Sequence, residues 1–162
     1  MRILVLDDSK KHLAAAEETL AGHELTLVDS YGEAFRLLAP GAPFDAVLSD
    51  LLMPAEADTL GPEGMKFFGH QMPIGLVMVF AAVQAGVKRV AVITDANHHN
   101  HPMSAALDIL GRVWWDNDVV QTFKIDGASV IIAHAPLLPD GRKDWAKAFK
   151  AVCADVVSDK TK

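Results

Sequence analysis

The chain has 162 residues, 51% of them apolar, which suits one compact domain with a substantial core, and no independently folding second module is expected. Its 21 acidic against 15 basic side chains give a formal charge of −6, so it lacks the basic footprint that tracks a phosphodiester backbone, and nucleic acid is not an expected partner. One cysteine, Cys153, excludes an internal disulfide framework and fits the cytoplasm.

In chain order, Ile3–Leu6 is a branched apolar run ending in acid, which predicts a strand buried on both faces, and it is far too short for a signal peptide. Leu13, Ala16 and Leu20 recur at helical spacing over Lys10–Ala21, with Ser9 placed to cap the start and Gly22 to end it. Glu24–Val28 alternates as a second strand, and Tyr31–Leu38 reads as a helix closed by Pro40, Gly41 and Pro43. Ala46–Ser49 is a third buried strand, ending at Asp50. Ala55–Gly69 is rich in Gly, Pro and acid without a clear period, so it reads mainly as a loop or lid with a short helical turn near Met65–Phe68.

A helix over Pro73–Ala85 stops at Gly86; it holds the longest apolar run, which falls short of the about 20 residues a spanning helix needs, so no membrane is expected. Arg89–Ile93 is a fourth strand, ending at Thr94 and Asp95, and Met103–Leu110 is a short helix after the His98–Pro102 loop. Val119–Ile125 and Ala128–His134 are strand-like and separated by Asp126–Gly127, a pair favoured in tight hairpin turns. Arg142–Val156 closes as an amphipathic helix with Trp145, Phe149 and Val152 inward and several lysines outward. Strands alternating with helices predict an α/β fold: a parallel sheet covered by helices on both faces, with an antiparallel hairpin near the C-terminus.

In such a sheet the natural binding crevice lies beyond the carboxyl ends of the strands. Asp7, Asp8, Asp50, Thr94 and Asp95 all fall there. Carboxylates brought together repel unless a hard cation or protons neutralise them, and Mg²⁺ accepts a few carboxylates while keeping several waters.

The run Ile3-Leu4-Val5-Leu6-Asp7-Asp8-Ser9, followed by Phe44-Asp45-Ala46-Val47-Leu48-Ser49-Asp50-Leu51-Leu52-Met53-Pro54, resembles the receiver domain of bacterial response regulators. The resemblance implies the flavodoxin-like fold, Mg²⁺ held by Asp7 and Asp8 with Asp50, phosphorylation of Asp50, and a phosphoryl contact from Thr94. It also implies two-component signalling, with a histidine kinase or a downstream signalling protein as partner.

The family carries a Lys before a Pro at the end of its fifth strand, and here that dipeptide aligns with Ala135-Pro136, so the expected cation is missing. The neighbouring His134 points to the other face by strand alternation. Asp95 adds a negative charge where the family has a small residue, and both departures weigh against phosphorylation and toward an atypical or pseudo-receiver. Two spacings exceed those of a typical receiver, through insertions near 55–73 and 112–127 that flank the crevice.

His98, His99 and His101 follow the fourth strand; with Asp95 or Asp50 they are secondary candidates for Zn²⁺ or another transition metal, against a plainer reading in which His101 or Asn100 caps the next helix. Adjacent Trp114 and Trp115 suit either an interface or a packed loop, and Met65, Phe67, Phe68, Met72, Met78 and Phe80 are read mostly as core. Neither Gly-rich phosphate loop nor a Ser nucleophile elbow occurs. A signalling module acting through protein contacts is therefore preferred over an enzyme. The alternatives are a metal-dependent hydrolase on the same scaffold, using the acids and the His98/His99/His101 loop, and a structural subunit forming a homo-oligomer.

Overall fold

Strand alternation divides the core between two faces of one sheet. In β1 (Arg2–Leu6), Leu4 and Leu6 enter one apolar cluster while Ile3 and Val5 enter the other. The structure, a computed structural model, describes residues 1–97, 99–110 and 122–158. After β1 come α1 (Lys10–Thr19), β2 (Glu24–Val28), α2 (Tyr31–Leu37), β3 (Ala46–Asp50), β4 (Met53–Pro54), α3 (Ala57–Gly64), β5 (Gln71–Met72) and α4 (Ile74–Gln84). Then follow β6 (Arg89–Thr94), α5 (Pro102–Ala106), β7 (Thr122–Ile125), β8 (Ala128–His134) and α6 (Trp145–Ser158).

The main sheet runs β2-β1-β3-β6-β8-β7, parallel except for β7, which pairs antiparallel with β8. This is the expected flavodoxin-like order with the expected hairpin. Asp126 (φ 47) and Gly127 (φ 74) both take the left-handed conformation that a tight hairpin turn demands. Residues 119–121 of the expected strand, with Trp114 and Trp115, lie outside the described residues. On one face Val47, Val92 and Val130 pack with Tyr31 and Ala34 of α2 and Met78 and Ala82 of α4; on the other Leu48, Ile93 and Ile131 pack with Ala15 and Ala16 of α1 and Trp145, Phe149 and Val152 of α6. No helix among the described residues is long and apolar enough to cross a membrane.

Three local expectations change. Ala55–Gly69 is more ordered than a loop: α3 spans most of it, broken at Gly61 (φ 64) ahead of Pro62, and a 3₁₀ turn follows at Met65–Phe67. The organising force is tertiary. The Glu56 carboxylate accepts the backbone N–H of Tyr31 at 2.7 Å and of Gly32 at 3.1 Å, serving the otherwise unpaired donors at the start of α2, and the Tyr31 hydroxyl bonds Thr59. The antiparallel β4–β5 ribbon closes the base of the excursion.

The apolar side chains near it are also less buried than expected. Met78 is fully buried, but Met65, Phe67, Phe68 and Phe80 are exposed. Finally, α6 begins at Trp145, so Arg142 and Lys143 precede it. Asp144 caps that start, accepting the Lys147 N–H at 2.9 Å.

Candidate functional site

Register delivers the acids. Leu6 pairs with Ser49 between the adjacent parallel strands β1 and β3, so the next residues, Asp7 and Asp50, emerge side by side at the carboxyl edge. That edge lies where the chain leaves β1 and β3 for opposite faces of the sheet, α1 packing on one and α4 on the other, the usual crevice of this architecture. Oxygens of Asp7, Asp8 and Asp50 all lie within 4.8 Å of one another. Asp7 and Asp50 are buried and Asp8 faces solvent. The Asp7 carboxylate accepts the Ser9 N–H at 2.9 Å, and the Asp50 carboxylate accepts the Leu51 N–H at 2.7 Å. Ser9 stands at the α1 N-cap as expected, but its side chain makes no capping bond.

The wall opposite depends on a close approach. The start of α4 lies against the end of β3, and a Cβ added to Gly75 would sit 2.4 Å from the Asp50 carbonyl oxygen and 2.8 Å from the Leu51 Cα. Thr94 ends β6 next to β3; it is buried and its Oγ1 accepts the Ala96 N–H at 3.1 Å. A pocket of about 300 Å³ opens over these groups, lined by Asp8, Asp50, Gln71, Thr94, Asp95 and His101 among others.

The missing cation is a correction. Position 135 is alanine, as the alignment implied, yet the pocket holds an ammonium: Lys143, fully buried, places Nζ 2.6 Å from Asp7, 3.0 Å from Asp50 and 3.6 Å from Asp95. It arrives from the loop between β8 and α6 and not from a strand end, which is why alignment at the Pro missed it. The last helix, expected from Arg142, begins only at Trp145, so Lys143 is not on it. One sequence signal pointed this way: Arg142 and Lys143 sit where a helix N-terminus would repel cations, beside an Asp suited to capping.

Asp95 is not a stray negative charge. One of its oxygens lies 3.2 Å from His12 Nε2 and the other 3.6 Å from the Lys143 ammonium. His12 is buried on α1, its Nδ1 accepting the Lys143 backbone N–H at 3.1 Å. That bond fixes the ring proton on Nε2, which donates to Asp95. Sequence reading overlooked His12, because the apolar stripe on Leu13, Ala16 and Leu20 suggested a face turned slightly away from it.

Among the described residues, the histidine loop borders the pocket through His101 but adds no member to the metal-holding group of acids. His101 caps α5, its Nδ1 accepting the Met103 N–H at 3.1 Å while Nε2 donates to the Gln71 carbonyl at 3.1 Å. Both ring nitrogens are thereby used within the protein, as the capping reading expected. The His99 backbone N–H bonds Asn97, and His98 lies outside the described residues. Among the described residues, the group with metal-holding geometry is Asp7, Asp8 and Asp50.

Electrostatics follow burial. Desolvation, reinforced by Asp7 and Asp95, outweighs Lys143 and pushes the Asp50 carboxyl up to about 7. Desolvation and Asp7 also raise Asp8. Burial opposes charge on Lys143, but Asp50, Asp7 and Asp95 together overcome it and hold its pKa above the ordinary lysine value. Burial likewise works against ionised Asp95, yet Lys143 and His12 hold its carboxyl below the usual range. Burial and Lys143 keep His12 neutral, below its ordinary value.

No protein-family model matches the chain, and no curated protein matches it. Solved structures do. A CheY-like response regulator receiver domain protein from Methanospirillum hungatei JF-1 aligns over 98% of this chain and 97% of its own, with TM-score 0.55 and 16% identity. A response regulator from Burkholderia pseudomallei, solved with a phosphorylated aspartic acid, calcium ion and citrate, aligns over 99% of this chain and 72% of its own, with TM-score 0.50 and 16% identity. The chemotaxis protein CheY4 of Vibrio cholerae aligns over 93% and 97%, with TM-score 0.49 and 20% identity. The chain therefore has the receiver-domain fold, and has it along nearly its whole length despite the altered spacings.

Proposed function

We propose that the chain is a single cytoplasmic receiver-like signalling domain in which Asp7, Asp8 and Asp50 hold Mg²⁺ and Asp50 accepts a phosphoryl group, with Thr94 and Lys143 contacting its oxygens. The observation that carries this reading is the meeting of three carboxylates from two adjacent strand ends with a buried ammonium that bridges Asp7 and Asp50. The donor set suits Mg²⁺. Each carboxylate oxygen keeps lone pairs beyond its protein bonds, and exposed Asp8 leaves room for the waters this ion retains. A bound ion would offset the charge developing on phosphoryl oxygens.

The chain's own groups supply the rest. An Asp50 oxygen attacks phosphorus, the bond to the donor's leaving group breaks, and an acyl phosphate forms. Lys143 pairs with the oxygens of that group, and the Thr94 hydroxyl donates to them. The phosphorylated aspartic acid and calcium ion of the Burkholderia structure support the reading, at the level of fold. The donor would be a histidine kinase and the reader a downstream signalling protein.

The test is acetyl phosphate, and separately beryllofluoride, each with Mg²⁺. A mass gain of one phosphoryl group, and amide resonance shifts around residues 50 and 94, are expected in the natural chain and absent in Asp50→Asn. A chain inert to both reagents, or an Asp50→Asn variant that responds equally, overturns the reading.

A further inference from the structure

Lys143 poses a mechanical problem. A cation on a strand end is fixed by ladders on both sides, whereas Lys143 lies on a loop whose backbone is tied only locally, by the Leu137–Lys143 bridge with the Asp144 N–H donating to the Pro136 carbonyl and the Leu138 N–H to the Arg142 carbonyl. Burial and the Trp145 ring confine the long Lys143 side chain, but where its ammonium ends up depends on where the loop backbone is held. Its backbone N–H has a specific partner in the His12 imidazole, 3.1 Å away. The His12 carbonyl accepts the Trp145 indole N–H at 2.9 Å, so this histidine holds the chain at Lys143 and again two residues on. Its remaining ring nitrogen reaches Asp95, whose other oxygen faces the Lys143 ammonium.

We propose that His12 is the positioning residue that gives the loop-borne Lys143 the fixed geometry a strand would otherwise provide, so that α1 is coupled directly to the floor of the pocket. The inference rests on the phosphoryl-switch reading for its consequence and on the structure alone for its geometry. His12 touches neither phosphoryl group nor ion; it acts through the backbone of Lys143 and through Asp95.

Two conservative variants separate its contacts. In His12→Asn the side-chain oxygen occupies the place of Nδ1 and can still accept the Lys143 N–H. In His12→Gln the amide reaches instead toward Asp95. The primary readout needs no ligand: the Lys143 ammonium resonance in ¹⁵N-lysine-labelled protein, assigned by its loss in Lys143→Gln. A buried ammonium bonded to two carboxylates exchanges slowly and is visible. The second readout is the beryllofluoride concentration that half-saturates each variant in excess Mg²⁺.

The expected result is a visible resonance in the natural chain and in His12→Asn, and its loss in His12→Gln and His12→Ala. Half-saturation should need about tenfold more beryllofluoride in the latter two, the scale of losing a positioning contact. Equal behaviour of the Asn and Gln variants overturns the proposal, and this comparison decides the matter even where His12→Ala fails to fold. No ammonium resonance in the natural chain overturns it as well. A His12-dependent resonance in a chain indifferent to beryllofluoride sinks the phosphoryl switch and leaves the positioning role supported.

Discussion

The two halves of the pocket are made by different means. Asp7 follows and Asp50 ends a strand whose register is locked by flanking ladders, with apolar faces buried above and below. Slipping either strand by one residue would turn its side chains to the wrong face, so sheet pairing alone puts the acids together. Lys143 has no such frame. It is placed by a loop that returns from β8, by a buried histidine on α1 and by the Trp145 indole beside it. Charges set by register can be read along the chain, whereas a charge set by packing is visible only once the elements have docked.

The sharpest way to break this contrast is to remove the packed half. Lys143→Met leaves the buried carboxylates facing one another without a cation, a change expected to cost about 3–5 kcal/mol. Urea unfolding would measure it. The deficit should shrink as pH falls, because protonation relieves the uncompensated charge, and added Mg²⁺ should recover part of it. A loss under about 1 kcal/mol at neutral pH would mean that Lys143 is incidental to the pocket.

Next in size is the register half. Gly75→Ala drives a Cβ into the Asp50 carbonyl and the Val92 side chain, at 2.4 and 2.6 Å, and backbone cannot move aside as a flexible side chain can. Overpacking of this kind costs about 1–3 kcal/mol, and it should displace Asp50 and weaken Mg²⁺ binding together. A variant as stable as the natural chain would show that α4 is free to slide from β3.

A smaller effect separates ion binding from stability. Because the Asp50 carboxyl is raised to about 7, its contribution to folding is fully present below the unfolded carboxylate value and is lost as pH rises through about 7. The ion needs the carboxylate, so Mg²⁺ affinity must change in the opposite sense, strengthening roughly tenfold from about pH 6 to about pH 8. Isothermal calorimetry at the two pH values tests this. Equal affinities would mean that Asp50 is not among the groups that the ion meets.

These contrasts also say what could be read in advance. The order of elements, the turn at Asp126–Gly127 and the convergence of Asp7, Asp8 and Asp50 were legible because each follows from local pattern plus strand pairing. Helix α3 was not, since its anchor is the Glu56 carboxylate accepting backbone N–H groups from the first turn of α2, a contact without trace in the composition of Ala55–Gly69. His12 and Lys143 were missed for a related reason. Polar residues that are buried because they satisfy one another look, singly, like surface residues on a helix face.

The smallest expected effect asks whether the Lys143 loop is held from outside or from within. Arg142 makes bidentate contact with Glu18 of α1 at 2.7 and 2.8 Å and reaches Asp140 at 2.7 Å, all on the exposed side. Good geometry in solvent still yields little, since water and salt screen both partners. Arg142→Ala should therefore barely move the urea midpoint, by an amount that fades as salt is raised, and should leave the Lys143 ammonium resonance intact. If it instead erased that resonance as His12→Ala is expected to, the outer clamp would carry the load and the buried imidazole would be mere packing.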